Sequence, residues 1–238
     1  MNPIDYLHLQ LRLEGKRVIG DTRLHQVEPV PGEEMPVLLI AQLADGKSVA
    51  YVDEALDPDL KEELARRART AQFPQIGPLL EYLNKENIPF EAGHYKTYLF
   101  PAPAAVFVDE EVTCRSREDP KVQAFGFGGF AEWVYGIERD GNIVSACVSA
   151  RENDSCAEAW VFTDPAYRHH GLAQKVVCTW AKELISSGKV PFYSHKVENV
   201  ASARLAKRLG LQPLFEEMVI ARLADDRMGI DSNRSRLT

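Results

Sequence analysis

The sequence predicts an α/β fold: a mixed central sheet flanked by helices, preceded by a small α+β domain. Two observations carry this prediction. In the C-terminal half, segments typical of strands alternate with segments typical of helices. The first 100 residues show a different order, with strand-like segments grouped around two helix-like ones. The chain has 238 residues, enough for one large or two small domains.

Strands are predicted at three places in residues 1–100. The alternation of residues 6–13 is typical of a strand, and Asp45-Gly46 predicts a hairpin between residues 37–43 and 48–52. Residues 94–100 predict another strand. No catalytic motif is recognised in this part of the chain.

Two helices complete the predicted N-terminal domain. Asp57 suits a helix cap and Pro58 the first helical position, so we expect a helix from there to about Ala71. A shorter helix is expected over residues 76–85. The Pro- and Ala-rich residues 101–105 are typical of a linker. They divide the chain into predicted domains of residues 1–100 and 104–238.

The C-terminal domain predicts the element order β-β-β-α-β-α-β. Before it, Asp119-Pro120 predicts the cap of a short helix, and residues 126–129 predict a glycine-rich loop. Asp140-Gly141-Asn142 is a strong hairpin signal. The predicted strands are residues 133–139, 143–150, 157–163, 191–197 and 211–223, and the predicted helices are residues 172–186 and 201–209.

A short motif, Arg168-x-x-Gly171-x-Ala173, joins the third strand of this domain to its first helix. The first turn of a helix leaves backbone N–H groups without partners, and the helix dipole adds partial positive charge there. Glycine lets a ligand approach the backbone closely. The motif therefore predicts an anion site, above all for a phosphate.

The element order and three local motifs together resemble the GNAT superfamily of acyl-CoA-dependent N-acyltransferases. The motifs are the turn from Arg168 to Ala173, the Asn199-x-x-Ser202 entry to the last helix, and Leu209-Gly210-Leu211 after it. The resemblance covers about residues 130–223. It implies transfer of an acetyl group from acetyl-CoA, the co-substrate, to a primary amine of a small molecule or peptide.

The resemblance also implies how the cofactor is held. The main chain of the third strand is expected to pair with the pantetheine arm, and the amides of the following turn to hold the pyrophosphate. The residues expected to bind the cofactor are Val161, Phe162, Thr163, Arg168, His169, His170, Gly171, Leu172, Ala173, Gln174, Asn199 and Ser202. Asn199 and Ser202 could instead cap the last helix.

Fewer signals in the sequence indicate which residues transfer protons. Glu158 is the candidate that would take the proton from the amine, and the alternative is an ordinary strand glutamate. The tyrosine that serves as general acid in many members of the superfamily would lie seven positions after Asn199, where this sequence has Ala206. Tyr193, Ser194 and His195 on the preceding strand are possible substitutes, and the alternative for each is a structural role.

Composition argues against several other classes of function and indicates a cellular compartment. A net charge of −7 argues against dependence on nucleic-acid backbones. Four cysteines without metal-ligand spacing predict reduced thiols, no metal site and a cytoplasmic protein. No secretion signal or membrane-spanning run is recognised. Residues 1–100 could cover the acceptor site or mediate a homodimer.

Two other functions stay open. Without the family tyrosine, the protein could be a non-catalytic acyl-CoA-binding or regulatory protein. A nucleotide-binding α/β domain is less favoured, because Gly171 stands alone rather than in a Gly-x-Gly-x-x-Gly motif.

Overall fold

A computed structural model describes residues 1–28, 35–71, 73–100 and 109–222. The predicted linker, residues 101–105, lies outside the described residues. The strands are β1 (Lys16–Ile19), β2 (Arg23–Gln26), β3 (Pro36–Leu43), β4 (Ser48–Asp53), β5 (Phe90–Leu99), β6 (Thr113–Ser116), β7 (Trp133–Arg139), β8 (Asn142–Glu152), β9 (Cys156–Thr163), β10 (Val190–Lys196) and β11 (Gln212–Arg222). The helices are α1 (Pro3–Leu13), α2 (Pro58–Thr70), α3 (Gly77–Lys85), α4 (Pro120–Phe125), α5 (Leu172–Ser186) and α6 (Val200–Arg208).

The strands form one mixed sheet in the order β1-β2-β4-β3-β11-β5-β10-β9-β8-β7-β6. The pairs β2–β4 and β9–β10 are parallel, and the other neighbours are antiparallel. The predicted mixed sheet flanked by helices is confirmed, and so are the predicted hairpins β3–β4 and β7–β8.

Helix α1 stands where the sequence predicted a strand, so that prediction was wrong. Pro3 occupies the first turn, and the Asp5 carboxylate accepts a hydrogen bond from the Asn2 N–H at 2.8 Å. Leucine, glutamine and arginine are strong helix formers. The alternating leucines reflect burial on more than one side of a helix: Leu7, Leu9, Leu11 and Leu13 are all buried.

Strand β5 lies between β10 and β11, although it comes from the first 100 residues. It pairs antiparallel with both, and Leu99 is opposite Phe192 on one side and Gln212 on the other. The division into domains of residues 1–100 and 104–238 stays a prediction, but the sheet runs through both segments. The centre of the C-terminal sheet therefore contains an N-terminal strand.

Helices cover both faces of the sheet. Side chains alternate between faces along a strand, so Cys156 contacts the hydrophobic cluster of α1 while Ala157 contacts that of α5. Trp180 of α5 is fully buried, and its Nε1–H donates to the Ser149 hydroxyl at 3.0 Å. Helices α1 and α4 lie on one face, and α2, α3, α5 and α6 lie on the other.

Candidate active site

Strands β9 and β10 form a fork. They are parallel and pair in the described residues at Val190 with Cys156, Pro191 with Ala157 and Phe192 with Glu158. Beyond Glu158, β9 follows β8 as far as Thr163, while β10 follows β5 as far as Lys196. The main chain of residues 159–163 therefore faces an opening. An extended chain that carries amides can bind in such an opening as an added strand.

The fork leads to the N-terminus of α5. After β9, Asp164 caps a 3-10 turn by accepting a hydrogen bond from the Ala166 N–H at 2.8 Å. Gly171 then begins α5 with φ 77°, a left-handed conformation that glycine adopts at little cost. Among the described residues, no side chain caps this helix, and a Cβ at Gly171 would meet no atom within 4 Å. The first amides of α5 are thus open to an anion.

The three cationic or titratable side chains of the turn are exposed. Arg168 folds back, so that its Nε–H donates to the Thr163 carbonyl at 3.1 Å and its guanidinium lies 5.8 Å from the Phe162 ring centre. His169 also has a left-handed backbone, with φ 68°. Arg168, His169 and His170 therefore lie at the surface just before the start of α5. Their expected contacts with phosphate stay a prediction.

Asn199 and Ser202 meet at the start of α6. The Asn199 side-chain oxygen accepts a hydrogen bond from the Ser202 N–H at 3.0 Å, so Asn199 caps this helix. Gly210 follows the helix with φ 64°, as the sequence predicted for its C-terminus. A contact of Asn199 or Ser202 with the cofactor stays a prediction.

The position that holds a tyrosine in many members of the family holds a buried alanine here. Ala206 faces the α5 cluster and is buried. Tyr193 of β10 enters the same cluster, and its hydroxyl hydrogen-bonds to Ser202. Burial raises the pKa of Tyr193 to about 12, although the bond to Ser202 opposes the rise. The Tyr193 hydroxyl is therefore protonated near neutral pH, as a proton donor must be.

His195 lies two residues further along β10 and is 7% exposed. Its ring stacks on Tyr98, with centres 5.5 Å apart, and its Nδ1 lies 2.8 Å from the Lys196 carbonyl. That contact favours the tautomer in which Nδ1 carries the hydrogen. The buried Nε2 has no hydrogen-bond partner in the described residues.

Glu158 lies at the point where the fork opens, on the α1 face. It is 6% exposed, and it pairs with Arg151, whose Nε donates to Oε2 at 3.0 Å. The Nη2 of Arg151 also contacts Oε2. Glu158 is therefore not the solvent-facing strand residue of the alternative interpretation.

Glu158 belongs to a group of ionisable residues that sequence reasoning missed. We call Glu14, Lys16, Arg151, Glu158 and Glu217 the α1 charge cluster. Lys16 Nζ is 2.8 Å from one oxygen of Glu14, and Arg151 Nη1 is 3.8 Å from the other. Burial tends to raise the pKa of Glu14, but the charges of Lys16 and Arg151 hold it below its ordinary value.

Glu217 is the exceptional member of this cluster. It lies on β11 and is 5% exposed. Burial, followed by the carboxylates of Glu14 and Glu158, raises the pKa of Glu217 to about 8. One signal in the sequence could have revealed it: Glu217 shares a face with the buried Phe215 and with Val219, where an apolar residue is expected.

An aromatic cluster adjoins the fork on the same face. Trp160 follows Glu158 by two positions on β9, and its ring stacks on Phe130 with centres 5.7 Å apart. Phe125 of α4 contacts Phe162 at 5.7 Å. These four rings are half-buried. The α1 face of the fork thus has a carboxylate end and an aromatic end.

None of the described helices is long and apolar enough to cross a membrane. Within the same residues, His, Cys, Asp and Glu side chains nowhere form a group of three or more that could hold a metal ion.

The family model of the GNAT acetyltransferases matches residues 126–216. This span contains the fork, the anion site and both helices that flank them. This part of the chain therefore matches the GNAT acetyltransferase family. No curated protein sequence matches the chain.

Several solved structures of this family are similar to the chain. A GCN5-related N-acetyltransferase from Kribbella flavida is 15% identical over 94% of this chain and 96% of its own, with a TM-score of 0.49. An acetyltransferase of the GNAT family from Novosphingobium aromaticivorans DSM 12444 is 20% identical over 55% of this chain, with a TM-score of 0.47. The chain spans 64% of the length of that protein. It spans 66% of a GCN5-related N-acetyltransferase-like protein from Streptococcus suis 89/1591, which is 17% identical over 61% of this chain with a TM-score of 0.43.

Proposed function

We propose that the protein transfers an acetyl group from acetyl-CoA to a primary amine of a small molecule or peptide. One observation carries the proposal: the fork between β9 and β10 opens toward the uncapped N-terminus of α5. The two features together fit a long ligand with amides in its middle and phosphates at one end. The GNAT acetyltransferase match over residues 126–216 supports acetyl as the transferred group.

The backbone does most of the cofactor binding in this proposal. The main chain of Val161, Phe162 and Thr163 pairs with the pantetheine amides. The amides at the start of α5 bind the pyrophosphate, and Arg168 adds positive charge. These contacts fix the thioester carbon near Glu158, where β9 and β10 part.

Two side chains handle protons. The amine nitrogen forms a bond to the thioester carbon, and the carbon–sulfur bond breaks. Glu158 accepts, at Oε1, the proton that an ammonium acceptor loses to expose its lone pair, since both hydrogen bonds from Arg151 end on Oε2. The second proton leaves the nitrogen for solvent once the new bond has formed. Tyr193 donates a proton to the departing sulfur. His195 is the alternative donor or acceptor on the same strand.

The cellular compartment is part of the same proposal. Cys114, Cys147, Cys156 and Cys178 are all free thiols, which supports a reducing compartment such as the cytoplasm.

The test is acetyl transfer with a panel of primary amines, which includes small aliphatic and aromatic amines, amino sugars and peptides. The CoA thiol that is released reacts with a chromogenic thiol reagent, and the absorbance of the label is followed. Mass spectrometry detects the acetylated amine. We expect both signals with at least one amine class. Tight binding of acetyl-CoA without transfer to any amine would instead favour a non-catalytic acyl-CoA-binding protein, which the buried Ala206 makes the second candidate.

A further inference from the structure

We propose that Gln10 and Glu217 bind the ammonium group of the acceptor on the α1 side of the fork. The proposal rests on the acyltransferase function proposed above and names where its acceptor is held. It also assigns a role to the first 100 residues, because α1 supplies one of the two side chains.

The side chain of Gln10 is buried beside the α1 charge cluster with one polar atom unsatisfied. Gln10 is 2% exposed, and its Nε2 donates to the Glu14 carboxylate at 3.5 Å. Its Oε1 has no hydrogen-bond partner in the described residues. A buried acceptor without a donor destabilises the folded protein. The site therefore favours a ligand that brings N–H donors.

The charges of the cluster favour a ligand that is also a cation. The cluster contains three carboxylates and two cations: Glu14, Glu158 and Glu217, and Lys16 and Arg151. The cluster has one negative charge in excess when all five groups are ionised. A primary ammonium supplies one positive charge and three N–H donors. It therefore matches both the charge excess and the free acceptor of Gln10.

An organic cation fits better than a metal ion. The described carboxylates are not grouped closely enough to hold a metal. An ammonium group does not need several carboxylates in direct contact, because it also accepts a neutral amide oxygen as partner. Gln10 supplies such an oxygen.

The position of the cluster suits an acceptor. Glu158 belongs to the cluster and also to the last paired position of β9 and β10. An amine held at the cluster therefore lies on the side of the fork where the thioester is expected. The aromatic rings of Phe130 and Trp160 adjoin this place and can contact the body of the acceptor.

Binding is expected to depend on pH through Glu217. The charged groups around it are Glu14 at the end of α1, Lys16 on β1, Arg151 on β8 and Glu158 on β9. Because its pKa is raised to about 8, Glu217 carries a proton at pH 7 and loses it when a cation binds beside it. Affinity for an amine should therefore increase from pH 6 to pH 8.

The experiment uses the full chain with CoA bound, and n-propylamine as probe with n-propanol as its uncharged control. Thermal unfolding is followed over a series of probe concentrations at pH 7 and pH 8. We expect n-propylamine, and not n-propanol, to raise the melting temperature of the wild type. Gln10→Met and Glu217→Gln should each require an at least tenfold higher concentration of n-propylamine for the same rise in melting temperature. Glu217→Gln should fold even if Gln10→Met does not, because Glu217 is already neutral at pH 7.

The matched control is Glu138→Gln, which changes a carboxylate on β7 that pairs with Arg115 and Lys121 away from the cluster. It should leave the amine effect unchanged. The proposal is overturned if Glu217→Gln keeps the wild-type response, or if amine and alcohol act alike on the wild type. Calorimetry of CoA and the transfer assay separate the two proposals: an amine effect that depends on Glu217 without any transfer would refute only the acyltransferase function.

Discussion

Gly171→Glu tests the anion site at the start of α5 most directly. Gly171 has a left-handed backbone and open space beside its Cα. The negative charge of a glutamate at this position is compatible with the helix dipole, because carboxylates are favourable at helix N-termini. The same carboxylate would occupy the place of the phosphate and repel it. We therefore expect a folded protein that has lost affinity for CoA.

The magnitudes of the two effects can be separated. The left-handed backbone costs any residue with a Cβ about 1–2 kcal/mol of stability. Two unit charges about 4 Å apart repel by roughly 1 kcal/mol in water and roughly 4 kcal/mol at a protein surface of effective dielectric constant near 20. Since 1.4 kcal/mol is a factor of about ten, the surface value of roughly 4 kcal/mol predicts that the charge alone weakens CoA binding by more than tenfold.

Calorimetry with CoA measures the affinity, and circular dichroism with thermal unfolding checks the fold. Gly171→Gln is the matched control, since it has the same backbone strain and nearly the same volume without the charge. We expect Gly171→Gln to bind CoA more tightly than Gly171→Glu by at least tenfold. Equal affinities of these two variants would refute the assignment of a phosphate to this site.

The remaining predictions concern the base, the buried carboxyl and the central strand. Glu158→Gln should lower turnover about a hundredfold with little change in CoA affinity, in steady-state kinetics with Glu138→Gln as control. Glu217→Gln should raise the melting temperature more at pH 8 than at pH 5. A carboxyl whose pKa is higher in the folded than in the unfolded protein makes the folded state less stable as the pH rises from about 4.5 to about 8. An equal change in melting temperature at both pH values would contradict this. A fragment that begins at Pro103 should be insoluble, since it lacks β5; a soluble fragment that binds CoA would show that the C-terminal part folds alone.

Much of the C-terminal part could be predicted from the sequence because its signals are local. The hairpin turn at residues 140–142, the motif that ends at Ala173, and Gly210 after α6 each determine the backbone around them. The match over residues 126–216 confirms the family that these signals indicated. The roles of individual site residues stay predictions.

What could not be predicted depends on contacts between distant residues. The leucines of α1 alternate as in a strand, and their burial on several sides becomes clear only when the sheet and its neighbours are present. The position of β5 depends on pairing with strands that lie about a hundred residues later. Gln10 and Glu217 were missed for the same reason, since no local pattern joins them.

The place of β5 has a consequence for synthesis on the ribosome. This strand of ten residues is complete once Leu99 has been made, but its two neighbours end at Lys196 and Arg222. At roughly 5–20 residues per second, more than a hundred further residues take on the order of ten seconds. Both edges of β5 lack a native partner until Lys196 has been made, and the edge that pairs with β11 lacks one until Arg222 has been made. The nascent chain must therefore keep an exposed strand from pairing wrongly until its last strand has been made.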